Sequence, residues 1–523
     1  MTIHPTWPRK LPQRIRQHTS RLAGIAALVL AAAIALPTFA AAAAPSELRI
    51  ASFRHPTTLD PLTGSSGYDH TFLYPVYDTL IDLDPATLEL KPGLAERWTF
   101  TDPKTLVLDL RAGVTFHDGT AFDAEAVRLN LERARNGERS NVKANLNTIE
   151  RIEVSGPLQV TLHLKEPDIT LPGVLTDRAG MMVSPQALKA GGATNLDRNP
   201  VGTGPWKFVS WISNDSLTFQ RNESYWRKDA ARVDVLNFVY VADVNTGLRS
   251  VIAGQNHLVY GLSPQQKSVV DRAKGIVAVS APTLQVNQFF LNYGKPPLND
   301  ARVRRAVNLA IDRDQFAKVT SLGLSAPASS LFPVEYWAHD PGIKYERNVE
   351  KARELLKEAG YPDGVTLSAV GLPDQAWQQR QEVLISMLAL AGIKLNVVRL
   401  APAAGLARFF KDRNDDVFIS LWTGRADPSM TFDGLFAVEA FFNAGHTDVT
   451  GGTLTAAMAQ ARSIVDRSQR IAALNKVQKI VYDNDLFTPL NFETQLIAHT
   501  DKLEGFTPNL LGKPRFEGVA FKK

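Results

Sequence analysis

The 523-residue chain carries 58 basic and 53 acidic residues, ten histidines and no cysteine, which excludes a disulfide framework, a thiolate nucleophile and a Cys-based metal site. Its net charge of +5 comes from the first 44 residues, which hold five Arg/Lys and no Asp/Glu. The rest of the chain balances 53 basic against 53 acidic residues, so nothing in it points to a nucleic-acid or anionic-membrane partner.

From the N-terminus, Arg9, Lys10, Arg14, Arg16 and Arg21 form a positive region and Leu22 to Leu36 an apolar run. Thr38-Phe39-Ala40 or Ala40-Ala41-Ala42 then offers a small-residue cleavage site, so residues 1–44 read as a secretory signal peptide. An apolar run of about fifteen residues falls short of the roughly twenty that a membrane span requires. No cysteine near the cleavage site could accept a lipid. The mature chain is therefore expected outside the cytoplasm with no membrane insertion of its own.

Some 480 mature residues exceed what one hydrophobic core usually serves, which predicts at least two lobes. Residues 105–113 and 159–167 alternate apolar and polar with period two and stop at turn signals, as strands do. Between them Asp123 caps a helix whose Ala126, Val127, Asn130 and Leu131 share a side. In 296–312, Val303, Ala306, Val307, Ala310 and Ile311 recur at helical spacing behind an Asn/Asp cap, with Arg302, Arg304 and Arg305 expected to point elsewhere. Further helices are predicted around Ala352, Leu355, Leu356 and Ala359 (ending at Gly360), over 378–392 and over 468–482. The chain reads as α/β or α+β, without a Gly/Ser linker to mark a boundary.

Three enzyme classes can be tested by spacing. Gly64-Ser65-Ser66-Gly67 does not supply the G-x-S-x-G of a nucleophile elbow. His55, His70, His117, His163, His257, His339, His446 and His499 are scattered singly, unlike zinc ligands. Gly202-Thr203-Gly204-Pro205 lacks the GK[ST] of a phosphate loop and reads as a turn feeding the strand from Trp206 to Trp211. Phe116-His117-Asp118-Gly119 reads as turn punctuation. No catalytic residue, metal or cofactor is expected.

Five stretches carry a resemblance: LDPL (59–62), PGLAERW (92–98), LRAGVTFHDGTAFDAEAV (110–127), NPVGTGPWKF (199–208) and PPLNDARVRRAVNLAID (296–312). Together, in this order, they resemble family 5 of the extracellular solute-binding proteins, over about Ser46 to Phe521. The resemblance implies an α/β two-lobe periplasmic binding protein of type II, of the large class with an inserted subdomain, and a ligand cleft between lobes. It implies lobe I from residues 45–84, 198–282 and 496–523, the inserted subdomain at 85–197, and lobe II at 283–495. The implied function is to capture a small solute, peptide-like, opine-like or otherwise carboxylate-bearing, and deliver it to an inner-membrane ABC permease. An exported hydrolase, or a periplasmic chaperone or sensory protein on the same fold, is the alternative.

The segment 415–428 looks like the family's ligand loop, a strand running into Trp422, Thr423, Gly424, Arg425, Ala426 and Asp427. In dipeptide and oligopeptide binders of this family, Arg425's place typically holds an Asp that pairs with the peptide's ammonium group. Arg425 reverses that sign and suits a carboxylate or phosphate instead, unless it pairs with Asp427 or another local acid and only shapes the loop; Asp427 is itself carried as a ligand candidate. Trp422 could stack on a solute or belong to the core. On the other lobe, Phe53, Arg54 and His55, which follow the first strand, are ligand candidates, and Arg178 is a second possible anion partner. Gln285 and Asn287, expected near the crossing between lobes, are further ligand candidates.

Overall fold

The computed structural model describes residues 45–64 and 66–523; the signal-peptide reading of residues 1–44 lies outside them. Period-two alternation produces strands at Thr105–Leu110 and Gln159–Leu164, which bury Leu106, Leu108, Val160 and Leu162 in one core. With Ala95–Asp102 and Ile149–Gly156 they form a four-stranded antiparallel sheet. The helix Ala124–Asn136 packs on it through Ala126, Val127 and Leu131. The Asp123 carboxylate accepts the Ala126 N–H at 2.8 Å, satisfying one of the orphan donors at the helix start.

The helix Ala301–Ala310 forms as its spacing predicts, capped by Asp300 and burying Val303, Ala306, Val307 and Ala310. Arg304 corrects the expectation that all three arginines point outward. It is buried, and its guanidinium donates to the carbonyls of Leu298 (2.8 Å), Asn299 (3.1 Å) and Asn484 (2.8 Å). The Asn484 carbonyl follows the end of the helix Arg467–Asp483, where carbonyls lack intrahelical partners. Helices also form at Val349–Glu358 and Gln375–Ala389; the second starts three residues before the predicted 378 because Asp374 caps it.

A ten-stranded sheet runs through both lobes, in the order Ile393–Arg399, Val365–Gly371, Val417–Trp422, Ile276–Leu291, Thr488–Thr500, Leu258–Tyr260, Glu47–Ser52, Val235–Tyr240, Ser216–Arg221 and Trp206–Ile212. Its two long central strands, Ile276–Leu291 and Thr488–Thr500, pair antiparallel. At about 3.3 Å per residue the longer one spans roughly 50 Å, enough to serve both lobes. Their register shifts between Pro282 and Val286, where the ladder is interrupted. Such a crossing leaves no linker composition in the sequence.

Three main cores follow. One draws on residues 284–492 with Leu83, Leu88 and Leu510, a second surrounds the four-stranded sheet, and a third joins Leu48, Phe72, Trp206, Phe238 and Phe516. The 202–205 turn packs against the chain at 75–77, where the Gly204 and Trp206 N–H groups donate to Val76 and Pro75 carbonyls at 2.8 Å. His117 packs on the same turn through the Gly204 carbonyl at 2.9 Å, and Asp118 bonds Ser184 instead of His117.

Candidate functional site

The ligand-loop segment leaves the sheet at Trp422 and turns into the helix Pro428–Phe436. Asp427 caps that helix by accepting the Ser429 N–H at 2.9 Å, and both its oxygens receive Arg470 Nη2 at 2.8 Å. This overturns the pairing of Arg425 with Asp427, and it removes Asp427 from the ligand candidates because its acceptors are taken inside the protein. Trp422 is 4 % exposed, with Phe442 edge-on at 5.2 Å and the Arg425 guanidinium 4.7 Å above its ring. The stacking reading is corrected accordingly: the indole is core and serves as the floor under Arg425.

Arg425 is half-buried and donates only to neutral oxygens of its own loop, Thr423 Oγ1 at 3.0 Å and the Gly424 carbonyl at 2.8 Å. Among the described residues no carboxylate lies within 4.0 Å of it. Burial holds its pKa below the usual guanidinium range, and the more distant Asp177 opposes that shift.

Across the gap, Arg178 is not the free anion partner that the sequence suggests. It is buried, with Nη2 donating to Asp69 Oδ2 at 3.2 Å and to the Ser66 carbonyl at 2.6 Å, and Nη1 to the Pro61 carbonyl at 3.3 Å. Those contacts explain its role: it ties the 61–69 loop to the segment that carries Asp177. Arg54 is exposed, 3.8 Å over the Tyr68 ring and 5.1 Å from Phe53, and so lies beside the same loop. Phe53 itself tilts against Tyr260 at 6.5 Å. His55 turns the other way and stacks on Tyr240 at 4.4 Å, which takes it off the candidate site. Asn287 is fully buried in the crossing, donating to Asn491 and Glu493 at 3.0 and 2.8 Å, so it too is corrected to a structural residue.

Three groups that the sequence does not single out as ligands complete the cluster: His70, Asp177 and Lys513. Asp177 accepts from His70 Nε2 and from the Arg178 N–H at 2.7 Å, with Lys513 Nζ 3.5 Å from its other oxygen. Lys513 arrives on a tight turn of the C-terminal tail, in which the Gly512 N–H donates to the Asn509 carbonyl at 2.9 Å. Gly512 has φ +69°, and a Cβ there would lie 2.8 Å from Gln285 Nε2, so glycine lets the turn press against the crossing strand. Gln285 thus lies behind the turn that presents Lys513.

The side chain of Asp177 is 37 % exposed although protein surrounds it closely. Burial would raise its pKa, but His70, Lys513 and Arg178 outweigh burial and hold the carboxyl well below its usual range. Burial pushes the His70 imidazole down to about 4, opposed by Asp177. Lys513 is lowered by burial, again against Asp177. Arg178 and Lys513 pair with Asp69 and Asp177, and the Arg425 charge, which Asp177 also reaches, adds one positive charge in excess with His70 neutral and makes two with it protonated. A desolvated excess of this kind is costly unless an anion joins it.

Arg467 pairs with Glu89 at 2.7 Å, Arg462 with Asp168 at 3.3 Å, and a Cβ on Gly173 would lie 3.0 Å from Asp427 Cβ. Among the described residues no group of three or more His, Asp or Glu could hold a metal, and no helix is long and apolar enough to cross a membrane.

Residues 89–441 match the model of bacterial extracellular solute-binding proteins, family 5 Middle. The glutathione-binding protein GsiB of Salmonella paratyphi A is 30 % identical over 506 residues, covering 92 % of this chain and 95 % of that protein. HbpA2 from Haemophilus parasuis superposes with a TM-score of 0.79 at 24 % identity, covering 91 % of this chain and all (100 %) of that one. DppA from Helicobacter pylori, an ABC transporter-associated periplasmic binding protein in complex with the peptide STSA, gives 0.78 at 24 % identity over 92 % and 99 %. These matches support the importer reading and neither the hydrolase nor the chaperone alternative. The chain belongs to family 5 of the bacterial extracellular solute-binding proteins, the binding components of ABC importers, and is not an enzyme.

Proposed function

We propose that the solute is a small compound with a free carboxylate, captured between the lobes in the periplasm and handed to an inner-membrane permease. One observation carries this reading: Arg425 is desolvated, has no carboxylate partner among the described residues, and stands among charges that sum to a positive excess. A guanidinium fork can make two parallel hydrogen bonds to a carboxylate, which a peptide's ammonium end cannot accept. Small peptide-like and opine-like acids both fall in this class. Glutathione, the ligand in the name of the Salmonella relative, is an acid of this kind.

In this reading residues 1–44 are removed on export and the mature chain works as a monomer. Lobe I comprises 45–84, 198–282 and 496–523, with 85–197 inserted, and lobe II comprises 283–495. The long strands Ile276–Leu291 and Thr488–Thr500 support a hinge at their crossing. A solute that touches Arg425 on one lobe and the Asp177 side on the other favours the closed form by its differential affinity.

A thermal-shift screen tests the solute class. Carboxylate-bearing solutes should raise the melting temperature more than their amides or unblocked neutral dipeptides do. At one hundred times the dissociation constant, binding stabilises by about 2.7 kcal/mol. A screen won by neutral, unblocked dipeptides would overturn the assignment of Arg425.

A further inference from the structure

We propose that the 166–173 loop of the inserted subdomain and Arg462 of lobe II form a proton-coupled latch, which closes more readily as pH falls and does so independently of the solute's class. On the proposed boundaries, Arg462 Nη2 reaches across to Asp168 Oδ1 at 3.3 Å, and the Ile169 N–H donates to the Arg462 carbonyl at 3.1 Å. Beside them a Cβ on Gly173 would lie 3.0 Å from Asp427 Cβ, and the helix Pro428–Phe436 packs Met430 against the core of the four-stranded sheet. The latch is thus a docked surface as well as an ion pair.

Its charges do not balance. Asp168, Asp427 and Asp433 meet two guanidiniums, and Arg470 is committed to Asp427 at 2.8 Å. Arg462 is left to serve two carboxylates, Asp433 on its own lobe at 2.9 Å and Asp168 across the interface. Exposed Glu166, from the same loop as Asp168, adds to the negative side, while Arg467 and Glu89 neutralise each other at the rim. Asp168 accepts from Thr148 Oγ1 at 2.8 Å, the Thr170 N–H at 3.1 Å and Thr170 Oγ1 at 2.6 Å, so its acceptors are taken. Asp433 has Arg462 as its one side-chain donor among the described residues. A proton on Asp433 therefore relieves the surplus.

Burial pushes the Asp433 carboxyl up to about 6; Arg462 opposes that rise, and Asp168 and Asp427 add to it. When the lobes part, Asp168 and Glu166 leave, Arg462 serves Asp433 alone, and the carboxyl returns toward its usual range. A group whose pKa is higher in the closed form takes up a proton on closing, so closure gains as pH falls through about 6 and loses that gain as pH rises through it. Against an ordinary aspartate near 3.9, the closed-to-open ratio rises about fourfold from about pH 7.5 to 5.5.

The chain has no cysteine, so a pair introduced at the exposed rim, Glu89→Cys with Arg467→Cys, reports closure without any solute. Losing that exposed ion pair costs little. A short bismaleimide cross-links the pair at a rate that follows the closed population, and thiol ionisation cancels when variants are compared at one pH. The rate with the native latch, divided by the rate with Asp433→Asn, should rise about fourfold from about pH 7.5 to 5.5. The same rise is expected against Asp168→Asn, which leaves Arg462 to Asp433 alone, so either variant suffices if the other folds poorly. Titration of Asp433 without coupling to closure would shift melting curves with pH and leave the cross-linking ratios flat. Flat ratios against both variants would overturn the latch and, since no solute enters the experiment, leave the carboxylate reading standing.

Discussion

Arg425→Ala is expected to bind an acidic solute about thirtyfold or more weakly while its unliganded fold is undisturbed. Truncating one partner of a buried charge pair costs about 2–5 kcal/mol of binding, and each 1.4 kcal/mol is about tenfold in the dissociation constant. The unliganded protein loses only two hydrogen bonds within one loop and is relieved of a desolvated cation. Its melting temperature should stay level or rise, the usual relation between a binding residue and stability. Arg425→Lys should recover part of the affinity, since an ammonium keeps the charge without the planar fork. Calorimetric titration with melting curves checks both; wild-type affinity in Arg425→Ala would remove this residue from the site.

Two positions along the chain, the expectation reverses. Asp427→Ala should destabilise the unliganded protein by about 3–5 kcal/mol, because it strands the Arg470 guanidinium in the interior. The side chains of Arg470 and Asp427 are 10 % and 9 % exposed, so water cannot replace the lost partner cheaply. Burial holds the Asp427 carboxyl above its usual range in spite of Arg470, so the pair costs more to bury than an apolar pair would, and the loss on mutation is that of an orphaned charge. Asp427→Asn retains a good helix cap and should recover only the capping share, about 0.5–2 kcal/mol. Denaturant melts of the two variants separate the terms, and wild-type stability in Asp427→Ala would contradict the assignment of Arg470 as its partner.

Local features of this fold are legible in the sequence because their causes are local. Period two marks the strands at 105 and 159, and the caps Asp123 and Asp300 lie within three residues of the groups they satisfy. Helical spacing alone assigns Arg304 to solvent, because the Asn484 carbonyl that it bonds lies 180 positions away. Lys513 and Asp177 are 336 positions apart, and no composition or spacing announces their meeting. Arg178 illustrates the opposite error: a cation beside a cleft invites a ligand reading, whereas Asp69, 109 positions earlier, has already claimed it. Arg425 is visible because its loop is continuous with a strand, and what the structure adds is that its hydrogen bonds go only to neutral oxygens of that loop.

Closure on an acidic solute is the central claim, and small-angle scattering tests it most directly. On the proposed boundaries, the pairs Arg467–Glu89 and Arg462–Asp168 join the two lobes, which makes this structure the reference for the compact form. With the mature protein, a carboxylate-bearing solute that wins the thermal-shift screen should at saturation reduce the radius of gyration toward the value calculated for this compact form, and its amide should not at equal concentration. A radius of gyration that stays unchanged at proven saturation would contradict capture by closure.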